Sequence, residues 1–314
     1  MENNKYTVLH TWLLPLLFVL GCFAANYMAG TLDYRNIVDE RSQRDFNAAL
    51  GMPLVIGFLW LALRILHRRS GQLIADFLVQ INQLSQYENH MRALEMKLVR
   101  HVVVSASLAI SITIGYLSIE NLLALDQEIA IVLLNAIAVP FWFFLFLFVM
   151  QSASFTRYLY KRLVLPNIEH HFCECKPICD LGCSNVIFST FMFLLMPLFW
   201  LGKEIPVIDI LMLFVVMVFM FSVLFLPVFK TLHLMRRHRI RSIISTETEI
   251  ADLIVNKSDG DSTLVAQELN RLNQQLEDLR QHHCWPKDVT ANTKVFAIST
   301  GLPCGCLFLT WFLQ

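Results

Sequence analysis

Seven stretches of this chain approach or exceed the roughly 18 apolar residues that a helix needs to cross a bilayer. They run over about 11–30, 46–66, 102–123, 129–151, 184–201, 207–229 and 293–314. Inside hydrocarbon a backbone has no water to bond to, so each such stretch must satisfy its own N–H and C=O groups as a helix. The expected fold is therefore an all-α multi-pass membrane protein, one membrane domain over 1–314 with seven transmembrane helices. Composition agrees: 16% of the residues are charged, where a soluble domain carries about 25%. The fifth span is short, and the seventh carries Ser299, Thr300, Pro303 and Thr310, so a count of six is the alternative. The first span is too long for the apolar core of a cleavable signal and has no clean small-x-small site after it, so it reads as a retained anchor.

Short loops rich in Lys and Arg stay in the cytosol. Arg64, Arg68, Arg69, Arg92, Lys97 and Arg100 fall at or in the link after span two, and Arg157, Lys161, Arg162 and Lys176 in the link after span four. Lys230, Arg236, Arg237, Arg239 and Arg241 follow span six. The alternate links carry little excess basic charge. This pattern places the amino terminus inside and the carboxyl terminus outside, with cytosolic segments 67–101, 152–183 and 230–292. The net charge of +0 suggests no nucleic-acid partner.

The segment EHHFCECKPICDLGC, Glu169 to Cys183, then lies in the cytosol, where thiols stay reduced and a disulfide knot is not expected. His170, His171, Cys173 and Cys175 are possible metal ligands, and His282, His283 and Cys284 could complete a site. Cys173 and Cys175 are spaced too tightly for the usual C-x2-4-C pair, so no metal or other cofactor is favoured. Lipidation of a cysteine beside the membrane and an incidental cluster remain the other readings.

The cytosolic links look helical. Ile74, Phe77, Leu78, Ile81 and Leu84 keep helical spacing after span two, which suggests that the span continues outward and then turns back. Arg236 to Asn256 is similarly patterned, and Asp259-Gly260 marks a turn. Beyond it Val265, Leu269, Leu272, Leu276 and Leu279 form a heptad stripe of about two repeats, suited to packing in a bundle or between subunits. The Asn256-Lys-Ser sequon would lie in the cytosol, unused. Phosphate-binding loops, HExxH and GxSxG are missing, so no enzyme is expected. Span interiors hold almost no ionisable groups of the kind that proton pumps and ion-coupled transporters use.

This layout resembles the insect gustatory and odorant receptor superfamily: an inside amino terminus, seven spans, long cytosolic helices, and a last span directly after a cytosolic helix. The stretch LHRRSGQLIADFLVQINQL, Leu66 to Leu84, also looks like that family's segment after its second span. The family's mark in the last span is Thr-Tyr, five apolar residues, then Gln-Phe. Here TGLPCGCLF keeps Thr300 and Phe308 at that spacing, with Gly301 in place of Tyr and Leu307 in place of Gln. TWFLQ, Thr310 to Gln314, keeps Thr, an aromatic and Gln at compressed spacing. The chain looks like a divergent gustatory-receptor-like member. The resemblance implies a tetramer, homo- or heteromeric, around a central pore in the plasma membrane. It implies that the last span lines the pore, that the heptad helix is the subunit anchor, and that a small-molecule ligand enters the outer half of the bundle.

The physics of the seventh span points the same way. Phe296, Thr300, Pro303, Leu307, Thr310 and Gln314 share one helical face. Hydroxyl and amide groups can replace part of an ion's hydration, and Leu307 or Phe296 could form a dewetting constriction. Threonines in membrane helices also bond their own backbone, which is the plainer reading. Tyr116 and Asn121 on the third span and Asn135 on the fourth are the ligand-pocket candidates, with helix-packing hydrogen bonds as the alternative. The expected function is a ligand-gated, non-selective cation channel or channel subunit. The alternatives are a non-conducting relative that acts through interactions, and a membrane enzyme or metal-dependent factor built on the His/Cys groups.

Overall fold

The computed structural model describes residues 3–119, 128–167, 176–203, 207–255, 262–281 and Gly301. Among these the chain is helical with no strand. Helix α1 spans Asn3–Met28, α2 Glu40–Gln80, α3 Tyr87–Ile119 and α4 Ile129–Tyr158. A π-helical turn at Leu159–Val164 carries α4 into the short α5, Leu165–Asn167. Helix α6 spans Lys176–Leu195 and ends in a 3-10 turn, Met196–Trp200; α7 spans Val207–Val255 and α8 Ser262–Gln281. Six helices among the described residues are long and apolar enough to cross a membrane. The seventh stretch, 293–314, lies outside the described residues except for Gly301.

Helix α2 is the axis of the bundle. It begins at a reciprocal cap: Asp39 Oδ1 accepts from the Ser42 N–H at 2.7 Å, and Ser42 Oγ accepts from the Asp39 N–H at 3.1 Å. These bonds satisfy donors that a helix start leaves open. From there α2 packs on α1, α3, α4 and α6. It buries Val55, Ile56, Leu59, Ala62, Leu63, Leu66, Ile74, Phe77 and Leu78, so its apolar face runs well past residue 66. Span two thus continues outward as the far half of α2, as its helical spacing suggests. Only at Asn82, with φ of 55°, does the chain leave the helical path, and the turn Leu84–Gln86 leads into α3.

Small residues let neighbouring helices close on α2. A Cβ placed on Gly57 would stand 2.3 Å from Val19 Cγ2 of α1, and one on Gly51 would stand 3.2 Å from the Phe199 ring. Polar side chains also tie helices together where no water competes. Asn185 of α6 donates to Thr156 Oγ1 at 2.9 Å and to the Ser152 carbonyl at 3.2 Å, both on α4.

The two ends of the bundle differ. At one end Asn47 Nδ2 donates to the carbonyls of Phe199 and Leu201, at 3.3 and 2.9 Å, and Gln43 Nε2 donates to the Leu201 carbonyl at 2.9 Å. The α1–α2 and α6–α7 links therefore meet there. At the other end His90 Nδ1 lies 2.8 Å from the Tyr158 hydroxyl, and Lys97 Nζ sits 4.3 Å from the centre of the Tyr158 ring. The α2–α3 turn and the end of α4 therefore meet at the opposite, Arg- and Lys-rich end. Alternate links thus gather at opposite ends, as expected of helices threading up and down.

Helix α7 extends through 49 residues, about 73 Å at 1.5 Å per residue. Helix α8 packs against its far half. Arg239 of α7 donates to the carbonyls of Leu279 and Arg280, each at 2.8 Å, and Arg280 pairs with Glu247 at 2.7 Å. Leu272 and Leu276 of the heptad stripe are buried, and Leu269 and Leu279 are half-buried.

Candidate ligand cavity

A cavity of about 440 Å³ lies between α1, α2, α3 and α4, in the half of the bundle nearer the basic end. Helical periodicity explains its walls. Trp60, Leu63, Arg64 and His67 stand at positions i, i+3, i+4 and i+7 of α2, which form one face. Phe144, Leu147, Gln151 and Phe155 form the facing stripe of α4, and Leu98 of α3 and Thr11 of α1 also line this open cavity.

The cavity is two-faced. Its inner part is aromatic: Trp60 stacks on Phe144 with ring centres 5.3 Å apart and planes 25° from parallel. One to two helical turns nearer the basic end are Arg64, His67, Arg68 and Gln151. The Arg64 guanidinium lies 5.2 Å from the Trp60 ring centre, and its Nη1 donates to the Thr11 carbonyl at 3.4 Å. A guanidinium over an indole face keeps its charge beside an apolar wall. His67 packs on Phe155, ring centres 5.9 Å apart. Among the described residues no carboxylate lines the cavity.

Gln151 is the unusual member. It is 1% exposed, and its amide nitrogen and amide oxygen are both buried. His101 of α3 is its side-chain hydrogen-bonding neighbour, and the Nδ1 atoms of His101 and His67 are buried without partners. Buried polar groups are nearly always paired, because an unmet donor or acceptor costs about 1–3 kcal/mol. The Gln151 amide is thus packed behind the cavity wall, next to His101, and is not presented to the cavity.

The residues singled out from sequence fall elsewhere. Tyr116 is exposed on α3, and Asn135 is half-buried on α4, sixteen residues before Gln151, or about 24 Å along the axis. Neither lines the cavity. Asn121, the pore candidates Phe296, Thr300, Leu307, Thr310 and Gln314, and the possible metal ligands His170, His171, Cys173 and Cys175 lie outside the described residues. Val265 belongs to α8, but its side chain is likewise outside them. Among the described residues no group of three His, Cys, Asp or Glu side chains could hold a metal ion. Gln151 closing the apolar run of α4, and Arg64 inside that of α2, were the sequence signals for the cavity: each puts a polar group where a packed span would carry an apolar one.

No protein-family model matches the chain, and neither curated proteins nor solved structures give a match to it.

Proposed function

We propose that this chain is a chemoreceptor of the gustatory-receptor type, a subunit of a ligand-gated, poorly selective cation channel in the plasma membrane. The observation that carries the reading is the pair of long helical arms at the basic end: the far half of α2 with the start of α3, and the far half of α7 with α8. Such arms, continuous with membrane helices, resemble the cytosolic region through which the insect gustatory and odorant receptors assemble as tetramers. The heptad helix would serve as the anchor with its remaining faces, since Leu272 and Leu276 are covered by α7 of the same chain. The segment 293–314 would cross the membrane and line the pore.

Gating follows if a small molecule binds the open form more tightly than the closed one; the difference in affinity sets how far the equilibrium moves. The test is current recording from cells that express the chain, alone and with partner subunits, under a panel of small organic compounds. Tags at each terminus would be read in intact and permeabilised cells in parallel. A hidden amino tag, an exposed carboxyl tag and a compound-dependent cation current are expected. Both tags hidden, or no current from a surface-delivered protein under any compound, would refute the channel reading. A second reading, a membrane protein that acts through interactions without conducting, is favoured by Gly301 and Leu307, which depart from the family's last-span pattern.

A further inference from the structure

We infer that Lys97 and Arg100 of α3, with Arg157 and Arg162 at the end of α4, form a binding site for the headgroup of an anionic bilayer lipid. The headgroup is one with more than one negative charge, that of a phosphatidic acid or a phosphorylated inositol lipid. The inference needs the apolar helices to cross a bilayer, and it does not depend on the channel reading.

Three observations carry it. The first is convergence. Tyr158 is buried; the Lys97 ammonium sits 4.3 Å from its ring centre, and His90 Nδ1 lies 2.8 Å from its hydroxyl. Lys97 and Arg100 are three residues apart on α3 and share a face. Arg157 and Arg162 are five apart, which on an α-helix sets them about 140° from one another around the axis. The π-helical turn over Leu159–Val164, wound i to i+5, narrows that angle. The charges of Arg162, Arg100 and Arg157 all act on Lys97, and that of Arg162 acts on His90 and Tyr158 as well.

The second is a missing counter-charge. Every charge that acts on Lys97 is positive. Among the described residues none of the four cations pairs with a carboxylate, whereas Arg44, Arg92, Arg271 and Arg280 each do. Arg100, Arg157 and Arg162 are exposed. Like charges held together call for an anion, and guanidinium groups match phosphate oxygens in two-bond pairs. A single phosphodiester would leave most of the four positive charges unmet. The third is depth. Val99, Val102 and Val103 of α3 are exposed, an apolar surface for acyl chains that starts within one turn of Arg100. Lys97 lies five residues before Val102, and Arg157 six residues beyond Gln151, or about 7.5 and 9 Å along the helix axes. The headgroup layer extends about 5–8 Å beyond the hydrocarbon on each side, so a lipid phosphate stands level with these side chains. A free phosphate would use the cations alone; a lipid uses the cations and the valines together.

The full-length protein would be purified in maltoside micelles, and its bound lipid counted by native mass spectrometry during titration with dioleoyl phosphatidic acid. One saturable site is expected, weaker for dioleoyl phosphatidylglycerol, absent for dioleoyl phosphatidylcholine, and loosened by added salt. Each cation near a charged headgroup is worth about fivefold in affinity. Arg100→Gln should therefore weaken binding about fivefold, and Arg157→Gln/Arg162→Gln on the facing helix about 25-fold. The double variant should melt no lower than the parent in lipid-free micelles, because it removes only exposed like charges. That combination separates a binding role from a structural one. Arg35→Gln/Arg41→Gln, at the opposite end of the bundle, should bind as the parent does. The inference is overturned if Arg157→Gln/Arg162→Gln binds as well as the parent, or if the opposite-end variant loses as much. It is overturned too if phosphatidylglycerol or phosphatidylcholine binds as tightly as phosphatidic acid. Displacement of the lipid by inorganic phosphate at equal concentration would also overturn it, making the cluster a site for free phosphate. A chain that binds the lipid but passes no current would refute the channel reading alone.

Discussion

Adding one methyl group to Gly57 should part α1 from α2. A Cβ at that position would lie 2.3 Å from Val19 Cγ2, with the Pro15 carbonyl oxygen behind it at 3.7 Å. Carbon atoms rest about 3.5–4.0 Å apart, so the helices must separate by more than about 1 Å, or Val19 must rotate. Rotation is a poor escape, because a β-branched side chain in a helix has one strongly preferred rotamer. Overpacking of this kind costs about 1–3 kcal/mol. In Gly57→Ala a value near 2 kcal/mol corresponds to a roughly thirtyfold fall in the folded-to-unfolded ratio. The assay is reversible unfolding in mixed dodecyl sulfate and maltoside micelles, followed by helical circular dichroism. Val19→Ala alone should cost less, and the double variant should recover much of the loss, with a coupling of at least about 1 kcal/mol. If Gly57→Ala falls within about 0.5 kcal/mol of the parent, or the two substitutions simply add, the contact does not hold α1 in place.

Other expectations are as direct. Asn47→Ala should cost about 1–2 kcal/mol in the same assay, since its amide holds the carbonyls of Phe199 and Leu201; an unchanged midpoint would mean water serves those carbonyls equally well. Asn185→Leu should be nearly neutral, within about 1 kcal/mol, because it removes an unpaired Oδ1 along with two donated bonds. Asn185→Ala should be clearly worse, from the added void, and equal losses would show that the bonds alone matter. The backbone and side-chain bonds from Ser42 hold the Asp39 carboxyl below its usual value. Its contribution to stability is therefore complete above the unfolded-state pKa, about 3.9, and is lost as pH falls through the lower folded-state value. Asp39→Asn should lack that part of the acid destabilisation, which a comparison of melting temperatures between pH 6 and pH 3 would check.

Sequence patterning shows the apolar stretches because they are long and uninterrupted, and six coincide with helices that could cross a membrane. Hydropathy does not mark where a helix stops. The run ending near Leu66 gives way to His67, Arg68 and Arg69, yet α2 continues to Gln80 because Ile74, Phe77 and Leu78 keep its buried face going. A stripe such as Leu269, Leu272, Leu276 and Leu279 says that a face is covered but not by what. Here α7 of the same chain covers it, through the fold-back that Arg239 and Arg280 secure. The cavity was hidden for a further reason. It depends on which faces of four separate helices converge, and Gln151 next to a span end looks like an interface residue until its amide is seen to be buried beside His101.

Helix α7 and its clasp with α8 can be considered as a lever. A rod of 49 residues, about 73 Å long, with one half held in the bundle, turns a small tilt into a large sweep. Tilting the free half, about 37 Å long, by about 5° moves its far tip by roughly 3 Å. Helix α8 doubles back along that rod and ends beside Arg239, much nearer the bundle than the tip is. The chain that leaves Gln281 thus starts from a point carried on the lever's short arm. It inherits a smaller displacement, delivered close to the plane where the bundle ends.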